Sequence, residues 1–65
     1  MDEQIGSTAG QVWTYLTENG SSTIIKLKSH LEVSNTLICL ALGWLAREDK
    51  IKISKTGHTY EVSLK

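Results

Sequence analysis

Few side chains in this 65-residue sequence have the chemistry of a reactive centre, and their spacing keeps them apart. Cys39 is the only cysteine, so a thiol is present but an internal disulfide is not. No Lys or His stands beside it to activate it, and it reads as a small apolar filler. His30 and His58 have neither a Cys nor a second His at metal-ligand spacing, so no metal or cofactor is expected. His30 reads instead as a residue near the free carbonyls of a helix C-terminus. No Ser/His/Asp set or paired-carboxylate motif is present. Gly6 and Gly10 fall in or beside a helical stretch, not after a strand, and so do not make a nucleotide-binding loop. Catalysis needs an acid and a base converging in a pocket, and nothing in the sequence supplies one. Two kinds of contact remain: phosphate binding by lysines, and apolar burial against a partner.

Charge bounds the first. Lys and Arg total 7, Asp and Glu total 7, and the formal net charge is zero. Nucleic-acid binders are usually basic, because neutralising phosphates supplies most of their non-specific affinity. The charge is nevertheless uneven. Residues 1–20 hold Asp2, Glu3 and Glu18 and no base, whereas residues 50–58 hold Lys50, Lys52 and Lys55 and no acid. No apolar run is long enough to cross a bilayer, Met1 is followed by Asp2 and Glu3 rather than by a signal peptide, and the lone cysteine suits a reducing compartment. A cytoplasmic protein without membrane contact is the expectation.

The elements follow from periodicity. Ile5, Ala9, Val12 and Leu16 recur at helical spacing and predict a first helix ending at Glu18, with Gly20 free to take a left-handed cap. Its start is either near Asp2 or at Thr8, where Thr8 and Gln11 resemble a capping box. Trp13 flanks the apolar stripe as semi-buried core, and Tyr15 points further to the side. Ser21-Ser22-Thr23 is a connector able to add a residue or two to a sheet edge before Ser22 or Thr23 caps the next helix. The second helix spans about Ile24 to Leu31, with Ile24, Leu27 and Leu31 on one face. Glu32-Val33 makes a tight turn with the valine buried, and Ser34 caps a third helix running to about Glu48. Ile51-Lys52-Ile53-Ser54 and Tyr60-Glu61-Val62-Ser63-Leu64 alternate as two strands around a Thr56-Gly57-His58 turn. Ile51, Ile53, Tyr60, Val62 and Leu64 are expected to face inward. Sixty-five residues make one domain, 1–65, of marginal stability, for which a partner subunit is a route to further burial.

The third helix carries too much apolar surface for one face. At about 100° per residue its apolar side chains sweep roughly 200°, twice the stripe a surface helix needs. Ile38, Ala41, Leu42 and Leu45 form one stripe; Leu37, Leu40 and Trp44 form a second, rotated by about 115°. The first can build a core. The second either folds over the hairpin or meets a partner. Burying two leucines and a tryptophan from each of two copies yields about 12 kcal/mol gross, against an association cost of about 4–15 kcal/mol.

Three helices followed by a two-stranded hairpin give an α+β order that resembles the winged helix-turn-helix. Leu27, Leu31, Val33 and Ser34 match an LxxxLxVS turn. The run Ala41-Leu42-Gly43-Trp44-Leu45-Ala46-Arg47-Glu48-Asp49-Lys50-Ile51 resembles a recognition helix entering the first wing strand. With Ala9-Gly10-Gln11-Val12-Trp13, the chain is similar to a small bacterial family of stand-alone winged helix-turn-helix domains without an assigned function. The resemblance implies a third helix placed for the major groove and a wing near phosphates. Asn35, Thr36 and Arg47 could then reach bases, with Lys52, Lys55 and His58 on the backbone, as in a DNA-binding transcriptional regulator. The leading expectation is different: a non-catalytic homodimer or protein-interaction module joined through Leu37, Cys39, Leu40, Gly43, Trp44 and Arg47. Leu40 and Trp44 would anchor it, Cys39 and Gly43 would allow close packing, and Arg47 would sit at the rim.

Overall fold

The computed structural model describes residues 2–65. Its elements run α1 (Asp2–Asn19), β1 (Ser22–Thr23), α2 (Ile24–Leu31), α3 (Asn35–Arg47), β2 (Ile51–Thr56) and β3 (Thr59–Leu64). Of the two expected starts for the first helix, the one near Asp2 is found. Asp2 and Glu3 lie in its first turn, where carboxylates complement the helix dipole. Thr8 is therefore not a cap: it lies mid-helix and is buried beside Ala9. Gly20 ends the helix with φ 79, its N–H donating to the Leu16 carbonyl.

Local chemistry sets the remaining boundaries. The Thr23 hydroxyl accepts from Lys26 N–H at 3.1 Å, and the Ser34 hydroxyl accepts from Leu37 N–H at 3.1 Å; each caps its helix. Between them, Glu32 turns the chain in the left-handed region with φ 55 and donates its N–H to the Lys28 carbonyl. α3 ends in a Schellman pattern. Asp49 takes φ 61 and donates to the Ala46 carbonyl, and Lys50 N–H reaches the Leu45 carbonyl. An exposed salt bridge from Lys65 to Asp49 ties the end of β3 to this turn.

The connector does contribute to the sheet. β1 pairs with β3 at Ser22–Val62 and Thr23–Glu61, giving a three-stranded antiparallel sheet in the order β1-β3-β2. β2 and β3 are joined by the two-residue loop Gly57-His58, in which Gly57 takes the positive φ of 61 that this tight connection needs. The order puts β3 in the centre and leaves β2 as an edge. The hairpin departs from its expected inward face. Ile51, Ile53, Tyr60, Val62 and Leu64 do share a face by register, but only Ile51 and Val62 are buried. The helices cover this face where Ile51 on β2 and Val62 on β3 sit, and Ile53, Tyr60 and Leu64 stay open.

α1 packs chiefly against α3, and the core lies between these two helices, α2 and the sheet. Val12 and Leu16 of α1, Leu27 of α2, Ile38, Ala41, Leu42 and Leu45 of α3, and Ile51 and Val62 of the sheet are all inside. Val33 is half-buried, packed against this core without entering it. Leu27 is α2's only buried residue. Leu27→Ala should therefore lower folding stability by about 2–5 kcal/mol, and Ser34→Ala by about 1 kcal/mol, both measured by urea denaturation.

Candidate interaction surface

α3 presents Ile38, Ala41, Leu42 and Leu45 to the core. Helical geometry then puts Thr36, Leu40, Gly43 and Arg47 on its opposite side, with Leu37 and Trp44 on the flank nearer α1. Exposure follows this layout. Leu40 is 42% exposed and Trp44 54% exposed, while Leu37 is half-buried. The stripe does not fold over the hairpin. Asn35, Thr36, Gly43 and Arg47 are exposed. Cys39 is exposed too, contrary to its reading as a buried filler; it lies about 100° around the helix from Ile38 and about 60° from Leu42, at the edge of the core face.

Trp44 leans over a feature the sequence reading did not assemble. With Gly6, Ala9, Gly10, Trp13, Leu45 and Lys50 it lines a shallow hollow of about 380 Å³ between α1 and α3. Toward the α1 N-terminus a smaller hollow of about 230 Å³ continues between Trp44, Ile5, Gly6 and Asp2. Toward the chain's C-terminus a third, about 360 Å³, lies among Trp13, Asp49, Lys50, Leu64 and Lys65. These shared linings make one groove, walled by two indoles and floored by glycine. Trp13 is 45% exposed, more open than semi-buried core. The signal for this surface was present in the sequence: Gly6 and Gly10, four apart on one helix, place a side-chain-free strip beside Trp13.

The strand register separates two of the residues expected to contact nucleic acid, Lys52 and Lys55. Asn35 and Thr36 are exposed at the start of α3, and His58 is exposed at the hairpin turn. Lys52 pairs with Ser63 and Lys55 with Tyr60, so the two lysines, three apart on a strand, point to opposite faces of the sheet. Their expected joint role on a phosphate backbone is not matched by the register. The other polar site is a ring contact between Tyr15 and His30, with centroids 4.6 Å apart, which joins α1 to the end of α2. Among the described residues no three His, Cys, Asp or Glu side chains converge on a point. No helix among them is long and apolar enough to cross a membrane.

A helix-turn-helix pair packed on a first helix, followed by a hairpin that a short third strand pins to the core, defines a winged helix-turn-helix domain. The chain belongs to the winged helix-turn-helix domain family DUF2582, whose model matches residues 1–64. It is 34% identical to the uncharacterized protein MJ1608 of Methanocaldococcus jannaschii, over 95% of this chain and 91% of that one. Its fold is similar to the solution structure of protein BT2368 from Bacteroides thetaiotaomicron, with a TM-score of 0.84 and 35% identity, over 98% of this chain and 79% of that one. Neither name states an activity or a partner, so a functional reading has to come from the surface itself.

The glycines of the surface yield a direct check. A Cβ built on Gly43 meets nothing within 4 Å, and its backbone is ordinary helix. Gly43→Ala should raise folding stability by about 0.5–1 kcal/mol. Gly57→Ala, at φ 61, should lower it by a similar or larger amount. Urea midpoints of the two variants moving in opposite directions is the expected result.

Proposed function

We propose that this protein is a non-catalytic interaction module that works as a homodimer, with the outer stripe of α3 in the interface. One observation carries the reading. Leu40 and Trp44 stay in water although the core is complete without them. Large apolar side chains left open on one helix face are the common mark of a protein-contact surface. Tryptophan is also the residue type most enriched among interface anchors. Leu37 packs beside both, three and seven residues away, Arg47 supplies a rim charge, and Cys39 and Gly43 leave room for a second backbone. A lone exposed thiol fits a reducing, cytoplasmic setting.

Base reading by the same helix has less support. It needs donors and acceptors where this helix has Leu40 and Trp44, and it gains most from a basic protein, whereas this chain is neutral. With the α3 face covered by a second copy, the usual insertion into a major groove is blocked, and the protein acts by presenting its remaining surfaces to others.

Sedimentation equilibrium of the pure protein, with and without random duplex DNA, tests this. The wild type should sediment as a dimer at tens of micromolar, consistent with roughly −6 to −8 kcal/mol of association, and should not co-sediment with DNA at moderate salt. Leu40→Glu and Trp44→Glu should be folded monomers. A wild type that remains monomeric at millimolar concentration, or that binds DNA with a steep salt dependence lost in Lys52→Glu/Lys55→Glu, overturns the reading.

A further inference from the structure

The groove between α1 and α3 has a charge order that bears on how two copies meet. Asp2 stands at one end, beside Ile5 and Gly6. Lys50 stands at the other, beside Trp13 and Leu64. Lys65 is also there but is already paired with Asp49. The groove therefore has Asp2 at one end and Lys50 toward the other, next to the mutually paired Asp49 and Lys65, with mostly apolar side chains between. A closed dimer with a two-fold axis sets each patch against its own copy, so that residue i meets j and j meets i. An axis through the middle of this groove brings Asp2 of each copy to Lys50 of the other, twice.

We propose that the dimer axis passes through this groove, so that the two indoles of one copy close over the glycine strip of the other and Asp2–Lys50 pairs seal both rims. The inference rests on the homodimer reading and moves the centre of the interface from the outer side of α3 to its flank with α1. Area favours a second copy as occupant. At about 250 Å² for a whole tryptophan, the exposed parts of Trp13 and Trp44 leave roughly 250 Å² of indole in water. A standard interface takes about 800 Å² per partner, about 65% of it apolar when the partners are identical. The two indoles thus cover close to half of the apolar need, and Leu40, Leu64 and Ile5 border them. Charge favours it as well: at zero net charge two copies do not repel, and the groove's own polarity is self-complementary.

The glycine floor then has a reason. Neither Gly6 nor Gly10 takes a positive φ, and a Cβ at either meets nothing within 4 Å, so nothing inside one subunit calls for glycine there. Mid-helix glycine weakens the helix that carries it. A second backbone or a bulky ring approaching from outside is what the missing side chains admit.

The test uses the full chain in sedimentation equilibrium, with circular dichroism and urea melts as fold controls. Gly10→Gln fills the groove with a good helix former. In melts run well below the dimer dissociation constant, where both proteins are monomers, it should unfold at higher urea than the wild type, yet in sedimentation it should dimerise at least about tenfold more weakly, which separates a blocked interface from a damaged fold. Asp2→Lys and Lys50→Glu should each weaken self-association, by about tenfold at low salt and less at high salt. Both the double variant and an equimolar mixture of the two single variants should recover it, because each restores opposite charges at both rims. The groove proposal is overturned, with the α3 reading intact, if Gly10→Gln and the charge variants dimerise like the wild type while Leu40→Glu is monomeric. A wild type that never dimerises removes both.

Discussion

The packing of α1 on α3 is the interaction on which the rest of the molecule depends. Val12 and Leu16 meet Ile38, Ala41, Leu42 and Leu45, and this pair of helices closes over Val62 at the centre of the sheet. Among the described residues ten apolar side chains make up the buried core, a small interior as expected of so short a chain. Apolar residues beyond that number have no inside to enter. Leu40, Trp44 and Trp13 are in that position, and the two tryptophans lie along the seam that the α1–α3 contact creates. The same contact that stabilises the fold therefore also assembles its most distinctive surface.

That surface breaks local rules without any return inside one subunit. Three helix-interior glycines, Gly6, Gly10 and Gly43, weaken their helices although no neighbour crowds them. Two tryptophans stay half in water although each would contribute stability if covered. Sequences usually agree with their folds at every level, and disagreements concentrate where the protein meets something else. Here bulky rings and missing side chains stand side by side, which is the pairing that a closely packed contact uses.

Winged helix-turn-helix folds serve several functions, so the fold sets the geometry and leaves the function to particular side chains. In this chain the element that would enter a major groove is apolar where polar groups are needed. The wing lysines diverge because strand alternation sends Lys52 and Lys55 to opposite faces. A neutral chain has little long-range pull on a polyanion. Asp2 and Lys50 instead lie toward opposite ends of one groove, an arrangement suited to short-range matching between surfaces.

Much of this was legible from residues in order. Helix periods, the Ser34 cap, a cap at Ser22 or Thr23, the left-handed turn at Gly20 and a hairpin turn around Gly57 are local matters, decided within a few bonds of the residues that cause them. So was the double apolar character of α3, since the angular position of Leu40 and Trp44 follows from helix geometry alone. What lay out of reach depended on neighbours distant in sequence. The helices reached only part of the sheet and left Ile53, Tyr60 and Leu64 uncovered, Cys39 stayed exposed, and α1 ran back to Asp2, carrying Gly6 past Trp44. Alternation and spacing say which side chains share a face. Only the assembled layers decide which of those faces a short chain has enough material to cover.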